Sequence, residues 1–172
     1  MNDLQIQKVK IGEVEQLRDI SVSTFTETFA SVNSAQNMAN YLANNLSKQK
    51  LADELNTTGS EFYFAILNQQ IIGYLKINTG KAQTELKEAN SLEIERIYIS
   101  KEYHGKKAGQ FLYESAVQIA AEKSADYIWL GVWEHNRRAI SFYRKNGFVE
   151  FDKHSFMLGD DEQTDIMMRK AL

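Results

Sequence analysis

Apolar residues along this chain recur with two spacings, and the spacing changes from element to element. Leu4 and Ile6 alternate with polar neighbours, which predicts a first strand over Leu4 to Val9. After Gly12 the spacing turns helical, through Val14, Leu17, Phe25 and Phe29, until TFTETFASVNS breaks it near Asn33. Ser34 and Ser47 stand where N-caps belong. Each precedes a short helix, one carrying Met38, Tyr41 and Leu42, the other Leu51 and Leu55. Glu61 to Leu67 and Ile71 to Ile77 read as strands. Their short polar link, Asn68-Gln69-Gln70, predicts an antiparallel hairpin. Thr79 to Ser91 is a polar, charged loop.

The stretch from Leu92 to Leu112 changes period within itself. Leu92, Ile94, Ile97, Tyr98 and Ile99 read as a strand, and Ala108, Phe111, Leu112, Ala116, Ile119 and Ala120 as one helical face. Between them lies a polar turn with Gly105 and Gly109. A strand, a glycine-bearing turn and a helix start can hold an anion, because the first helical N–H groups have no partner and the dipole is positive there. The spacing is neither that of a P-loop nor that of a dinucleotide fold. A plain βα turn without a ligand is the alternative reading. Tyr127 to Trp133 is nearly continuously apolar, as in a strand buried on both faces, and it follows a crossover helix, so it should lie parallel to the strand before it. Asn136 caps a helix over Arg137 to Lys145, and Asn146-Gly147 ends it. Phe148 to Phe151 and Ile166 to Leu172 read as final strands, with the acid-rich HSFMLGDDEQTD between them. The expectation is one α/β domain over residues 1–172 with a mixed sheet.

Composition narrows the chemistry. No cysteine occurs, which excludes a disulfide framework, a thiolate zinc site and an S-acyl enzyme. His104, His135 and His154 lack the spacing of a metal cluster, so no metal is expected. The net charge of −3, with only Lys106 and Lys107 as a local basic spot, argues against nucleic acid and is compatible with a cationic substrate. No apolar run is long enough to span a bilayer, and the N-terminal residues lack a secretory signal's apolar core, so no membrane partner and a cytoplasmic location are expected.

Two motifs then fit together. Ile97 to Gln110 resembles the coenzyme-binding segment of the GNAT superfamily of acetyl-CoA-dependent N-acetyltransferases. The run GVWEHNRRAISFYRKNGF resembles that superfamily's second motif, matching at Asn136, Ala139, Phe142, Tyr143, Lys145, Gly147 and Phe148. SLEIERIYIS, IWLGVWEHN and the tail HSFMLGDDEQTDIMM are similar to PaiA-type polyamine acetyltransferases. The turn departs from the usual [Q/R]-x-x-G-x-[G/A] pattern. His104 stands where Gln or Arg is usual, and Lys107 replaces the first signature glycine, so Lys107 must adopt a glycine-like turn.

The resemblance implies a mostly antiparallel twisted sheet with a splayed parallel pair in its middle, flanked by helices. It implies direct acetyl transfer from acetyl-CoA to a primary amine, most specifically a polyamine such as spermidine or spermine. The main chain of Ile97, Tyr98 and Ile99 would hold the pantetheine arm. The amides of Gly105, Lys106, Lys107, Ala108, Gly109 and Gln110 would cradle the pyrophosphate, with His104 a further coenzyme-binding residue, and Asn136 would contact the arm. Tyr143 would be the general acid, because a phenol of pKa about 10 keeps its proton at neutral pH. Packing of Tyr143 on the core is the competing reading. Glu93 and Glu95 are the candidate bases. Alternation puts them on one face unless a bulge intervenes, and a solvated charge or a partner of Arg96 is the alternative for each. Phe25 to Tyr41 would wall the amine site, with Glu27 as a contact. Trp129 and Trp133 read as core, and His154 as a surface residue with a place near the amine site as its alternative. Asp160, Asp161, Glu162 and Asp165 could attract a polycation or simply form a solvated loop. Another small amine, a lysine or a protein N-terminus as acceptor, a non-catalytic coenzyme-sensing protein, and a homodimer all stay open at this point.

Overall fold

The computed structural model describes residues 3–158 and 161–172. Among these, seven strands form one mixed sheet: β1 (Leu4–Lys8), β2 (Ser60–Leu67), β3 (Gln70–Thr79), β4 (Ser91–Ile99), β5 (Tyr127–Trp133), β6 (Val149–Leu158) and β7 (Asp161–Ala171). Their spatial order is β1-β2-β3-β4-β5-β7-β6. Five α-helices cover the sheet: α1 (Val14–Phe29), α2 (Ala35–Asn45), α3 (Lys48–Leu55), α4 (Ala108–Glu122) and α5 (Arg137–Lys145). Every neighbouring pair of strands is antiparallel except β4 and β5, the expected parallel pair in the middle.

Short-range signals set most element boundaries. Ser34 Oγ accepts from the Asn37 amide at 3.1 Å and starts α2, and Ser47 Oγ accepts from the Lys50 amide at 3.2 Å and starts α3. The β2–β3 hairpin turns on two residues rather than three. Asn68 and Gln69 both take positive φ (49° and 65°), and Gln70 already pairs with Leu67. At the end of α5, Gly147 (φ 89°) donates to Arg144 O and Phe148 donates to Tyr143 O, both at 3.0 Å, the two-bond terminator that glycine permits. The last two strands are longer than the sequence pattern predicts. Most of the acid-rich segment between them is itself strand, because β7 finds partners on both sides, β5 and β6. Asp160 lies outside the described residues.

Each face of the sheet has its own core. On one face α4 presents Ala108, Leu112, Ala116 and Ala120, all essentially inaccessible, to Leu92, Ile94, Ile128 and Leu130. The fourfold spacing with three alanines lets the helix lie close on the strands. On the other face Leu17, Ile20, Phe25, Met38 and Leu51 from α1–α3 cover Phe62, Phe64 and Tyr74. Full burial of each such large side chain stabilises the fold by about 1.5–3 kcal/mol.

The parallel pair stops early. β4 and β5 pair only at Ser91 with Tyr127, Leu92 with Ile128 and Glu93 with Trp129. Immediately beyond, β4 carries a bulge: Lys76 pairs with Arg96 and Ile77 with Ile94, so Glu95 is an extra residue. Parity along the strand confirms it. Leu92 and Ile94 face the α4 core before the bulge, and Ile97 and Ile99 face it afterwards. Glu95 and Arg96 therefore share the opposite face with Lys76 and with Glu54 of α3. Lys76 Nζ lies 2.6 Å from Glu95 and 3.1 Å from Glu54. The Arg96 guanidinium reaches Glu54 at 3.0 and 3.1 Å and Glu95 at 3.1 Å. Two cations and two anions, each less than a fifth exposed, neutralise one another. A bulge bends its strand and increases its twist, which carries Ile97 to Ile99 away from β5. Lys76→Met leaves Arg96 to balance two buried carboxylates, and urea unfolding should show a loss of about 3–5 kcal/mol. A loss below about 1 kcal/mol would instead place the cluster among solvent-screened surface pairs.

Candidate active site

Past Glu93 the β5-facing edge of β4 has no strand beside it. Tyr98 O faces β3, where a Cβ placed on Gly73 would come within 2.3 Å of it, and Ser100 N–H is taken by Ile72 O at 2.9 Å. Alternation therefore turns the main chain of Ile97 and Ile99, but not that of Tyr98, into the gap. The Tyr98 ring stacks on Tyr74, with centroids 5.8 Å apart. His104 straps this edge in place. Its Nε2 donates to Ile99 O at 2.8 Å, while its Nδ1 accepts from Arg138 at 2.8 Å, which puts the proton on Nε2.

The turn that follows is built to offer N–H groups. His104 and Lys106 donate to Lys101 O and Tyr103 O, and the first helical bond of α4 is Phe111 N–H to Lys107 O. The amides of Gly105, Lys107, Ala108, Gly109 and Gln110 have no partner among the described residues. Gly105 has φ 76° and Lys107 φ 63°, and a left-handed residue followed at once by a helix start forms an anion-binding concavity. Lys107 holds this conformation as a non-glycine residue, at a cost of about 1–2 kcal/mol. A Cβ added at Gly109 would meet nothing within 4 Å, so the protein's own packing does not demand glycine there, and the space stays open for a ligand. The Gln110 side chain is engaged elsewhere, with Asn146 and Glu114 at 3.0 Å, which leaves its amide to the cradle.

Edge and cradle line a cleft of about 410 Å³. A second cavity of about 510 Å³ lies on the other side of the splayed strands, and the two share Ile97, Tyr98, Asn136, Ala139 and Tyr143. Asn136 caps α5 by accepting from the Ala139 amide at 3.1 Å, and its Nδ2 stays uncommitted among the described residues. Tyr143 comes from the same helix and is 7% exposed. The rings of Phe142 and Phe148 meet it edge-on at 5.4 and 5.5 Å. Its hydroxyl has no hydrogen-bond partner among the described residues, and burial pushes the phenol well above its ordinary range, so it keeps its proton.

Glu93 and Glu95 both line the second cavity, and Asn78 Nδ2 bridges them at 3.0 and 2.6 Å. Their environments pull them apart. Glu93 is raised by burial, which outweighs its hydrogen bonds from the Thr84 hydroxyl, the Thr84 amide (2.9 Å) and Asn78. Burial also pushes Glu95 up, but Arg96 and Lys76 more than offset it and hold the carboxyl below the usual range. Phe25, Phe29 and Tyr41 wall the cavity as expected. Glu27 does not: it faces the cleft with the cradle and accepts from the Lys101 amide at 2.8 Å. His154, read as a surface residue, lines the cavity and lies 3.3 Å from Glu85. Trp129 is buried as expected, but its indole N–H donates to Gln83 at 2.6 Å, and both it and Trp133 face the cavity. Asp161 and Glu162 are exposed, whereas Asp165 points inward. Burial lifts Asp165 to about 6, against the pull of His154. Thr84, Glu85 and Gln163 are cavity residues that the sequence reading missed. The alternation Gln163, Asp165, Met167 was the available signal for one wall.

Residues 14–148 match the sequence model of the acetyltransferase (GNAT) family. The chain is 41% identical over 172 residues to an uncharacterized N-acetyltransferase of Lactobacillus delbrueckii subsp. lactis, covering 100% of this chain and 99% of that one. It is 27% identical over 171 residues to the spermidine N(1)-acetyltransferase of Thermoplasma acidophilum, covering 97% and 96% of the two chains. The crystal structure of the PaiA N-acetyltransferase from Thermoplasma acidophilum in complex with coenzyme A has the same fold, with a TM-score of 0.81 at 26% identity over 99% of each chain. The matched span takes in both the strand edge with its amide cradle and the helix that carries Tyr143. The chain belongs to the GNAT acetyltransferase family: it is an N-acetyltransferase, and acetyl-CoA is its acetyl donor.

Proposed function

We propose that this enzyme transfers acetyl directly from acetyl-CoA to a primary amine of a polyamine such as spermidine or spermine. The observation that carries the reading is the charge of the second cavity. Among the described residues Glu85, Glu93, Glu95 and Asp165 line it with Arg96 and His154; Glu95 and Arg96 are neutralised within the bulge cluster, which leaves Glu85, Glu93 and Asp165 against His154. An excess of carboxylates in a recessed site favours a cationic acceptor. The likeness to a spermidine acetyltransferase supports the same substrate class. The chain has no cysteine to carry an S-acyl intermediate, and the two cavities join at Ile97, Tyr98, Asn136, Ala139 and Tyr143, where both substrates can meet for direct transfer.

The roles follow from the free valences. The main chain of Ile97 and Ile99 holds the pantetheine arm as an added strand, and the Ile99 N–H lies toward the thioester oxygen, where charge develops. The amides of Gly105 and of Lys107 to Gln110 receive the pyrophosphate, with Lys106 and Lys107 adding positive charge. His104 keeps Ile99 in position, and Asn136 Nδ2 meets the arm. The amine nitrogen bonds to the thioester carbon, the carbon–sulfur bond breaks, and Tyr143 donates its proton to the departing sulfur. Glu93, with its raised proton affinity, accepts the proton the amine must lose. Glu95, held by two cations, keeps the bulge in shape.

With purified protein and acetyl-CoA, spermidine and spermine should be acetylated faster than a peptide N-terminus or a lysine peptide. Preference for a peptide would sink the polyamine reading. Tyr143→Phe should lower kcat by about 100-fold or more without changing coenzyme affinity, and a smaller drop would reduce Tyr143 to packing. Glu93→Gln should remove the acid limb of the kcat/KM profile. Because the Glu93 pKa is raised, wild-type activity is lost as pH falls through that value, and the variant should be slow at every pH. Retention of the limb in Glu93→Gln would exclude Glu93 as the base.

A further inference from the structure

One carboxylate of the acceptor cavity differs from the others. Glu93 accepts three hydrogen bonds, Glu95 is paired with Lys76 and Arg96, and Glu85 faces His154. Asp165 accepts no hydrogen bond and has no ion-pair partner within 4.0 Å among the described residues. It nonetheless cannot turn away. β7 is paired on both sides at this position, with Trp133 of β5 and His154 of β6. The side chain leans inward over β5, where a Cβ placed on Gly131 would meet Asp165 Oδ2 at 3.3 Å and its Cβ at 3.6 Å. The missing side chain at Gly131 thus leaves room for the carboxylate on the cavity floor.

We infer that Asp165 is a specificity residue of the acceptor site, its carboxylate holding a second, non-reacting ammonium of the polyamine. The inference rests on the polyamine reading and adds the group that measures the substrate's second charge. Asp165 lines the acceptor cavity and not the coenzyme cleft, and Glu93 already serves the reacting nitrogen, which leaves Asp165 to a second nitrogen of the substrate. A half-buried anion that accepts no hydrogen bond and feels only the longer-range pull of His154 recovers little of its lost hydration until a cation arrives. Trp133 and Phe156 line the same cavity and add aromatic and apolar surface for an ammonium on a methylene chain.

Putrescine and butylamine share a four-carbon chain and differ by one ammonium, so the pair isolates this contact. Calorimetric titration of each, and of spermidine, into protein saturated with coenzyme A should show wild type preferring the diamine and spermidine by about tenfold or more. In Asp165→Asn that preference should collapse, the KM for spermidine should rise about tenfold with kcat little changed, and coenzyme affinity should be untouched. Asp165→Ser serves as the second variant and should behave alike. Loss of kcat without a change in KM would make Asp165 a proton acceptor and overturn the assignment. Undiminished spermidine binding in both variants would overturn it too, while leaving the polyamine reading intact. Wild-type protein that acetylates other amines but binds no polyamine would remove both.

Discussion

Four charges buried at a single bulge keep the middle of this sheet open. If β4 ran on in register beside β5, the N–H and C=O groups of Ile97 and Ile99 would be satisfied within the sheet and no edge would remain. The extra residue, Glu95, breaks that register. Lys76, Arg96 and Glu54 keep it from escaping to solvent, where a lone carboxylate would be better hydrated. Neutrality within the cluster is what lets charge sit beside Phe62, whose ring lies 5.4 Å from the Lys76 ammonium. The enzyme's central opening is thus a backbone defect stabilised by side-chain electrostatics.

The same residues build the fold and the site. Asn136 starts α5 with one end of its amide and leaves the other end in the cleft. Tyr143 belongs to the apolar cluster under α4 and α5, yet its hydroxyl stands at the junction of the two cavities. The turn closing α5 brings the Phe148 amide back to Tyr143 O and its ring against the phenol. These short, local bonds fix the turn beside the phenol, and the apolar cluster holds the ring itself.

That locality explains what was legible in the sequence. Caps at Ser34, Ser47 and Asn136, the glycine stop at Gly147 and the turn around Gly105 are encoded within a few residues and could be read directly. Lys107 in the left-handed conformation was foreseeable because a glycine was missing from its place. The bulge was not legible, since it is a mismatch between two strands and neither sequence carries it alone. The strand character of the acid-rich tail was hidden for a similar reason: β7 owes its length to partners on both sides. Glu27 was misplaced because the phase of α1, set by packing on β3 and β4, turns it toward Lys101 and the coenzyme side.

The long hairpin of β6 and β7 is attached to the rest of the sheet through β7 and β5 alone. Its described residues give His154, Phe156, Gln163, Asp165 and Met167 to the acceptor cavity and none to the coenzyme cleft. Donor grip and acceptor choice are therefore written on separate stretches of chain that share only a narrow seam. The hairpin is in effect an interchangeable cassette: its inward-facing positions can be rewritten to suit a different amine while the half of the molecule that handles the thioester keeps its geometry.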